Sequence, residues 1–280
     1  MRLSFIRGGP LAALAAAALL SSPAPAAAQT VDEIVGKHIM ARGGYDKLQA
    51  IQTIRITRTV ATPFSTVTVV TYKKRPNLVR FDQTPKGQSA ATPRGINADS
   101  AWDIVQGKVA MRAPNVATEG RETDGDFDGL LVDWKLKGHT VTLEGQENVG
   151  GNDAFKLKVT TRGGSVRYVY IDTTSYLESG LSGTVLLPGV NPRTKEPRSH
   201  QSFWTYSDYR EINGVKFPFA LDEERVDGPI TQSFAHFTEK IEVNVPIEDG
   251  FFAPPKEENP PQLPTAQLPT GSSGLQHREG

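Results

Sequence analysis

The chain of 280 residues contains no cysteine. That excludes disulfides, a thiol nucleophile, cysteine-based metal sites and a lipid attached through cysteine at a processing site. Stability must then rest on an ordinary apolar core, for which the ~250 residues beyond the N-terminal segment are ample. Charge of one sign is not in excess either: 31 Lys and Arg stand against 31 Asp and Glu. Removal of Arg2 and Arg7 with a leader leaves a slightly acidic body, which calls for neither nucleic acid nor an anionic membrane surface. The basic stretch Tyr72-Lys73-Lys74-Arg75-Pro76 reads as a solvated turn between strands.

Catalytic signatures are missing as well. There is no Gly-x-Ser-x-Gly elbow, phosphate-binding loop or dinucleotide fingerprint. His38, His139, His200, His236 and His277 form no HExxH pattern, so a zinc site has no support. Asp124-Gly125-Asp126-Phe127-Asp128 begins like a calcium loop, but the closing bidentate Glu is absent. Glu119, Glu122, Asp124, Asp126 and Asp128 read instead as solvated acids favouring the N-terminus of a following helix. The expectation is a protein that is not an enzyme, with no cofactor and no metal.

Long apolar runs are scarce. The one near the N-terminus, Leu11 to Leu20, is too short to span a bilayer. With Arg2 and Arg7 before it and Ala26-Ala27-Ala28 ahead of Gln29, it has the pattern of a secretory signal peptide. This predicts a signal over 1–28, a single domain over 29–255, and a soluble periplasmic product with no stable membrane anchor. Residues 256–280 are rich in Pro and polar residues, repeat Gln-Leu-Pro-Thr, and are expected to be a disordered tail.

The rest of the sequence is dominated by strands. A helix is predicted over Val31 to Met40, with Thr30 as N-cap, Glu33 completing a capping box and Gly43-Gly44 as the stop. A short helical turn follows at Tyr45 to Gln49. Ile54, Ile56 and Val60 then alternate with Arg55, Thr57 and Thr59, and strands recur at about ten-residue spacing through Met111. The second half is a meander from Thr140 to Val243 whose turns are explicit, at Gly150-Gly151-Asn152-Asp153, Arg162-Gly163-Gly164, Asn213-Gly214 and Asp227-Gly228-Pro229. Between the halves, Phe127, Leu130, Leu131 and Trp134 at i, i+3, i+4 and i+7 predict an amphipathic helix over Phe127 to Lys137, laid across the sheet as a lid. Roughly ten to twelve strands are too many for a flat sheet. The predicted fold class is mainly β with a few helices: one strongly curved antiparallel sheet, an open or half barrel, with helices covering its concave face.

Four stretches in this order carry a resemblance over Val31 to Pro255. They are the short helix into ARGGYDKLQAIQTIRITRTV, then DGLLVDWKLKGH, then VRYVYIDTTSYLES, then YSDYREINGVKFPF with IEVNVPIEDGFFAPP. Together they resemble the outer-membrane lipoprotein-sorting family, the LolA/LolB-like carriers of Gram-negative bacteria. The resemblance implies the same half-barrel fold and a periplasmic carrier of lipoprotein acyl chains or another envelope lipid.

Candidate cavity residues come from the dry face of the strands and from the lid. Phe155, Leu157, Tyr168, Tyr170, Phe217 and Phe219 are assigned to the sheet, and Leu130, Leu131 and Trp134 to the lid. Aromatic and aliphatic walls suit a lipid. Alternation does not distinguish an open cavity from a filled core. With a filled core, the same fold would act as an envelope protein-interaction module, its partner another protein.

Overall fold

A computed structural model describes residues 29–190, 195 and 197–256 of the protein. The leader read at 1–28 and nearly all of the tail read at 256–280 lie outside the described residues. Helix α1 (Val31–Arg42) starts where its cap is written. Thr30 Oγ1 accepts from the Glu33 amide at 3.3 Å, and the Glu33 carboxylate accepts from the Thr30 amide at 2.8 Å. The helix stops at Gly43, whose φ of +130° suits a residue without a side chain. Helix α2 (Tyr45–Ala50) leads into the sheet.

Among the described residues thirteen strands form one antiparallel sheet. The first six are β1 (Thr53–Ala61), β2 (Thr66–Lys74), β3 (Leu78–Pro85), β4 (Thr92–Ile96), β5 (Ala101–Val105) and β6 (Lys108–Met111). The other seven are β7 (Thr140–Val149), β8 (Asn152–Thr160), β9 (Val166–Asp172), β10 (Glu178–Val190), β11 (Pro197–Ile212), β12 (Val215–Asp227) and β13 (Ile230–Val243). Each set is a meander, and the two join where β1 pairs with β13, with Ile56 opposite Ile241. The sheet is open and curved. Its free edges are β6 and β7, which are consecutive in the chain, so the link between them crosses the whole width of the sheet. That link, α3 (Pro114–Glu122) followed by turns to His139, covers the concave face together with α1.

The expected helix over Phe127 to Lys137 is not formed. Gly129, Asp133 and Gly138 have φ of +88°, +54° and +75°, left-handed values that a right-handed helix does not admit. The segment is a strap of turns. Three of its apolar residues are still buried, Leu130 and Leu131 in one cluster and Val132 in another, with Phe127 and Trp134 partly covered, whereas Leu136 is exposed. A helix lies earlier instead, at α3, and carries the first two acids of the run, Glu119 and Glu122. Pro114 occupies its first turn, and it buries Val116, Ala117, Glu119 and Gly120.

The acidic and basic runs also read differently in three dimensions. Asp126 and Asp128 are buried rather than solvated. Lys137 pairs with Asp126 at 2.7 Å. Arg75 holds both oxygens of Asp128, at 2.5 and 2.6 Å, and donates to the Leu48 and Ile51 carbonyls, each at 2.8 Å. Arg75 is therefore the pin between the strap and α2, not part of a solvated turn. The two acids meet their cations across gaps in sequence of 11 and 53 residues, which local patterning does not reveal.

Packing divides the concave face. At one end Ile34 and Val35 of α1, Leu130 and Leu131 of the strap, and Phe155, Leu157, Val159, Val169 and Ile171 of β8 and β9 form a close-packed cluster. At the other end Ala117 of α3 seals against Val79, Ile96 and Ala101. Space remains between them.

Candidate functional site

Between the two packed ends lies a cavity of about 540 Å³, bounded by β1 to β5, by β9 to β13, and by α3 with the strap. That volume falls within the ~300–1,000 Å³ range of small-molecule sites. Apolar wall comes from Ile54, Ile56, Phe81, Phe127, Leu181 and Leu221. The remainder is polar to a degree that the dry-face expectation did not include.

Several lining charges are locked to one another. Glu119 of α3 pairs with Arg167 of β9, both nearly inaccessible to solvent. Asp103 takes two hydrogen bonds from Arg112, each at 2.8 Å. Glu223 takes two from Arg225, each at 2.7 Å, and a third from the Ser202 hydroxyl at 2.9 Å. Burial would raise the Glu223 carboxyl, but His236, Arg225 and Ser202 together hold it below the usual range. Because Ser202 donates to Glu223 rather than to His236, the three do not form a Ser-His-acid relay.

Where the strap meets α1, His38 is fully buried and its Nδ1 lies 2.9 Å from the Tyr176 carbonyl. Burial, reinforced by Arg42, pushes its pKa down to about 3, so the ring is neutral and Nδ1 carries the proton donated to that carbonyl. Its Nε2 lies 3.6 Å from Glu178, which lines the cavity and whose carboxyl burial pushes up. This contact is not an ion pair. Tyr209 donates to the Glu178 carbonyl at 2.8 Å and completes that corner.

Of the residues assigned from sequence, Leu130 and Phe217 line the cavity. Leu131, Phe155 and Leu157 are packed in the α1 cluster, with Trp134 against its edge. Phe219 is buried with Ile54, Ile56 and Ile241 rather than among the lining residues, and the Arg210 guanidinium sits 4.4 Å above its ring. Tyr168 and Tyr170 require a correction. Register sets Leu157 opposite Val169 and Phe155 opposite Ile171, while Lys158 and Lys156 face the two tyrosines. The tyrosines therefore occupy the other face of the sheet, where they pack with Val149 and Ala154.

Sequence reading passed over the polar wall, above all Arg58, Lys73, Arg94, Trp204, Tyr206 and Glu223. A signal was present: Arg58 shares the parity of Ile54 and Ile56, so period-two alternation already sets it on their side.

No protein-family model and no curated protein matches the sequence. Solved structures match the fold. A LolA superfamily protein from Nitrosomonas europaea aligns with a TM-score of 0.52 at 12% identity, over 81% of this chain and 99% of its own. A structure described as an outer membrane lipoprotein-sorting protein domain, from Vibrio parahaemolyticus, gives 0.52 at 10% identity, over 80% and 95%. A DUF1329 family protein from Desulfovibrio piger gives 0.51 at 13% identity, over 81% and 98%. The chain has a LolA-like fold.

Proposed function

We propose that this protein is a non-enzymatic carrier of the bacterial envelope that shelters the acyl portion of a lipid or lipoprotein in its central cavity. The observation that carries the reading is the cavity of about 540 Å³ left open between the two packed ends of a LolA-like sheet. A filled core would have favoured the interaction-module reading. Binding would draw on burial of apolar surface at roughly 25 cal/mol per Å², with Ile54, Ile56, Leu181 and Leu221 as the receiving wall. The pairing of Glu119, Asp103 and Glu223 with arginines supports binding rather than chemistry, since these carboxylates are occupied in holding the walls.

The proposal includes export: the leader is removed ahead of Gln29 and the product works in the periplasm. Among the described residues no helix is long and apolar enough to cross a membrane. Native mass spectrometry of protein taken from its own periplasm is expected to show a co-purifying lipid on a chain beginning near Gln29. A Leu181→Trp variant, which fills the cavity from β10, is expected to lose that lipid while unfolding at a similar temperature. Lipid-free wild-type protein that also fails to take up a fluorescent fatty acid would refute the carrier reading.

A further inference from the structure

The register of the first four strands assembles an arrangement that the carrier reading does not use. Ile56 of β1, Thr71 of β2, Phe81 of β3 and Arg94 of β4 lie on one rung, and Ile54 and Lys73 lie on the next. Arg58 stands two residues beyond Ile56 and so shares its face. With strands about 4.8 Å apart and about 3.4 Å per residue, Arg58, Lys73 and Arg94 all start within about 10 Å of Thr71. All three line the cavity.

None of these cations forms an ion pair among the described residues. Arg58 donates to the Thr238 hydroxyl at 3.1 Å and Lys73 to the Asp126 carbonyl at 3.0 Å. Arg94 lies over the Phe81 ring at 4.3 Å, and its buried Nε has no hydrogen-bond partner among the described residues. Two lining carboxylates lack an Arg or Lys salt bridge among the described residues. They are Asp124, which precedes the strap and whose charge favours the charged forms of Lys73 and Arg94, and Glu178, which burial drives toward its neutral form. Burial disfavours the charged forms of Lys73, Arg58 and Arg94, a cost that an incoming anion would offset. A purely apolar cargo would leave three desolvated cations against hydrocarbon, which is expensive.

We infer that the cavity takes an amphiphile with an anionic head, a carboxylate or phosphate received by Arg58, Lys73 and Arg94, with its chain against Ile54, Leu181 and Leu221. The inference rests on the carrier reading and specifies the cargo class. Charge-assisted hydrogen bonds in a partly dry site make the head a selector as well as an anchor.

Hexadecanoate, hexadecanol and hexadecylamine, which share one chain length, compete against a neutral fluorescent lipid probe on the full protein at neutral pH. Hexadecanoate is expected to bind about tenfold or more tightly than hexadecanol, and hexadecylamine more weakly than either. In an Arg58→Met, Arg94→Met double variant the advantage of the acid should fall to about twofold or less, while hexadecanol affinity stays unchanged and shows that the cavity is intact. Arg94→Lys, which keeps the charge, should keep the preference. Equal binding of acid and alcohol by the wild type overturns the inference and leaves a carrier without head selection. If none of the three binds, the carrier reading falls with it. Inorganic phosphate that raises the unfolding temperature of a protein binding no long chain would mean a free-anion site, again overturning both.

Discussion

His38 offers the sharpest test of the packing beneath the strap. In the unfolded chain its imidazole titrates near 6.5, and in the folded protein near 3, because burial and Arg42 oppose the charged ring. Between those values the unfolded state binds more protons, so stability is fully present above about pH 6.5 and is lost as the pH falls toward 3. At 1.36 kcal/mol per unit, lowering the pH from 6.5 to 5 should remove roughly 2 kcal/mol through this side chain alone. Glu178 pulls the other way, since a carboxyl raised on folding stabilises at low pH and loses that contribution as the pH rises. The comparison is therefore made against His38→Asn, which keeps a donor for the Tyr176 carbonyl, does not titrate and leaves Glu178 in place. Urea unfolding followed by the fluorescence of the three tryptophans, at steps from pH 7.5 to 5, reads both proteins. Asn should cost roughly 1 kcal/mol or more at pH 7.5 for lost volume, yet its profile should be shallower than the wild type by about 2 kcal/mol across the range. Parallel profiles would refute the neutral, buried histidine and the packing that makes it so.

Two further substitutions probe the frame of the cavity. Asp128→Ala leaves the half-buried Arg75 without its bidentate partner and should cost about 3–5 kcal/mol, with faster hydrogen exchange concentrated in residues 124–138. Exchange unchanged there would show that apolar burial alone holds the strap. Phe219→Ala empties a site packed by Ile54, Ile56 and Ile241 and should cost about 3–5 kcal/mol in chemical unfolding. A small loss with altered probe binding would instead restore Phe219 to the cavity wall.

Period-two alternation, turn chemistry and the Thr30 capping box determine most of the secondary structure, because each depends on neighbours within a few residues. They also suffice for an open, curved antiparallel sheet, since that many strands joined by short turns have few other arrangements. The fate of the 112–139 link is of another kind. The apolar spacing of Phe127 to Lys137 suits a helix, but the long crossing between opposite edges of the sheet, with Asp126 tied to Lys137 and Asp128 to Arg75, draws that part of the link into turns, while α3 forms ahead of it. Likewise, the alternation in β9 is plain in the sequence, but which half of it faces inward was settled by register: one residue of slip would exchange Val169 for Tyr168. The same holds for the cavity. Arg58, Lys73 and Arg94 lie 15 and 21 residues apart along the chain, and only the pairing of four adjacent strands gathers them on one wall, since side-chain proximity across a sheet depends on register rather than on distance in sequence.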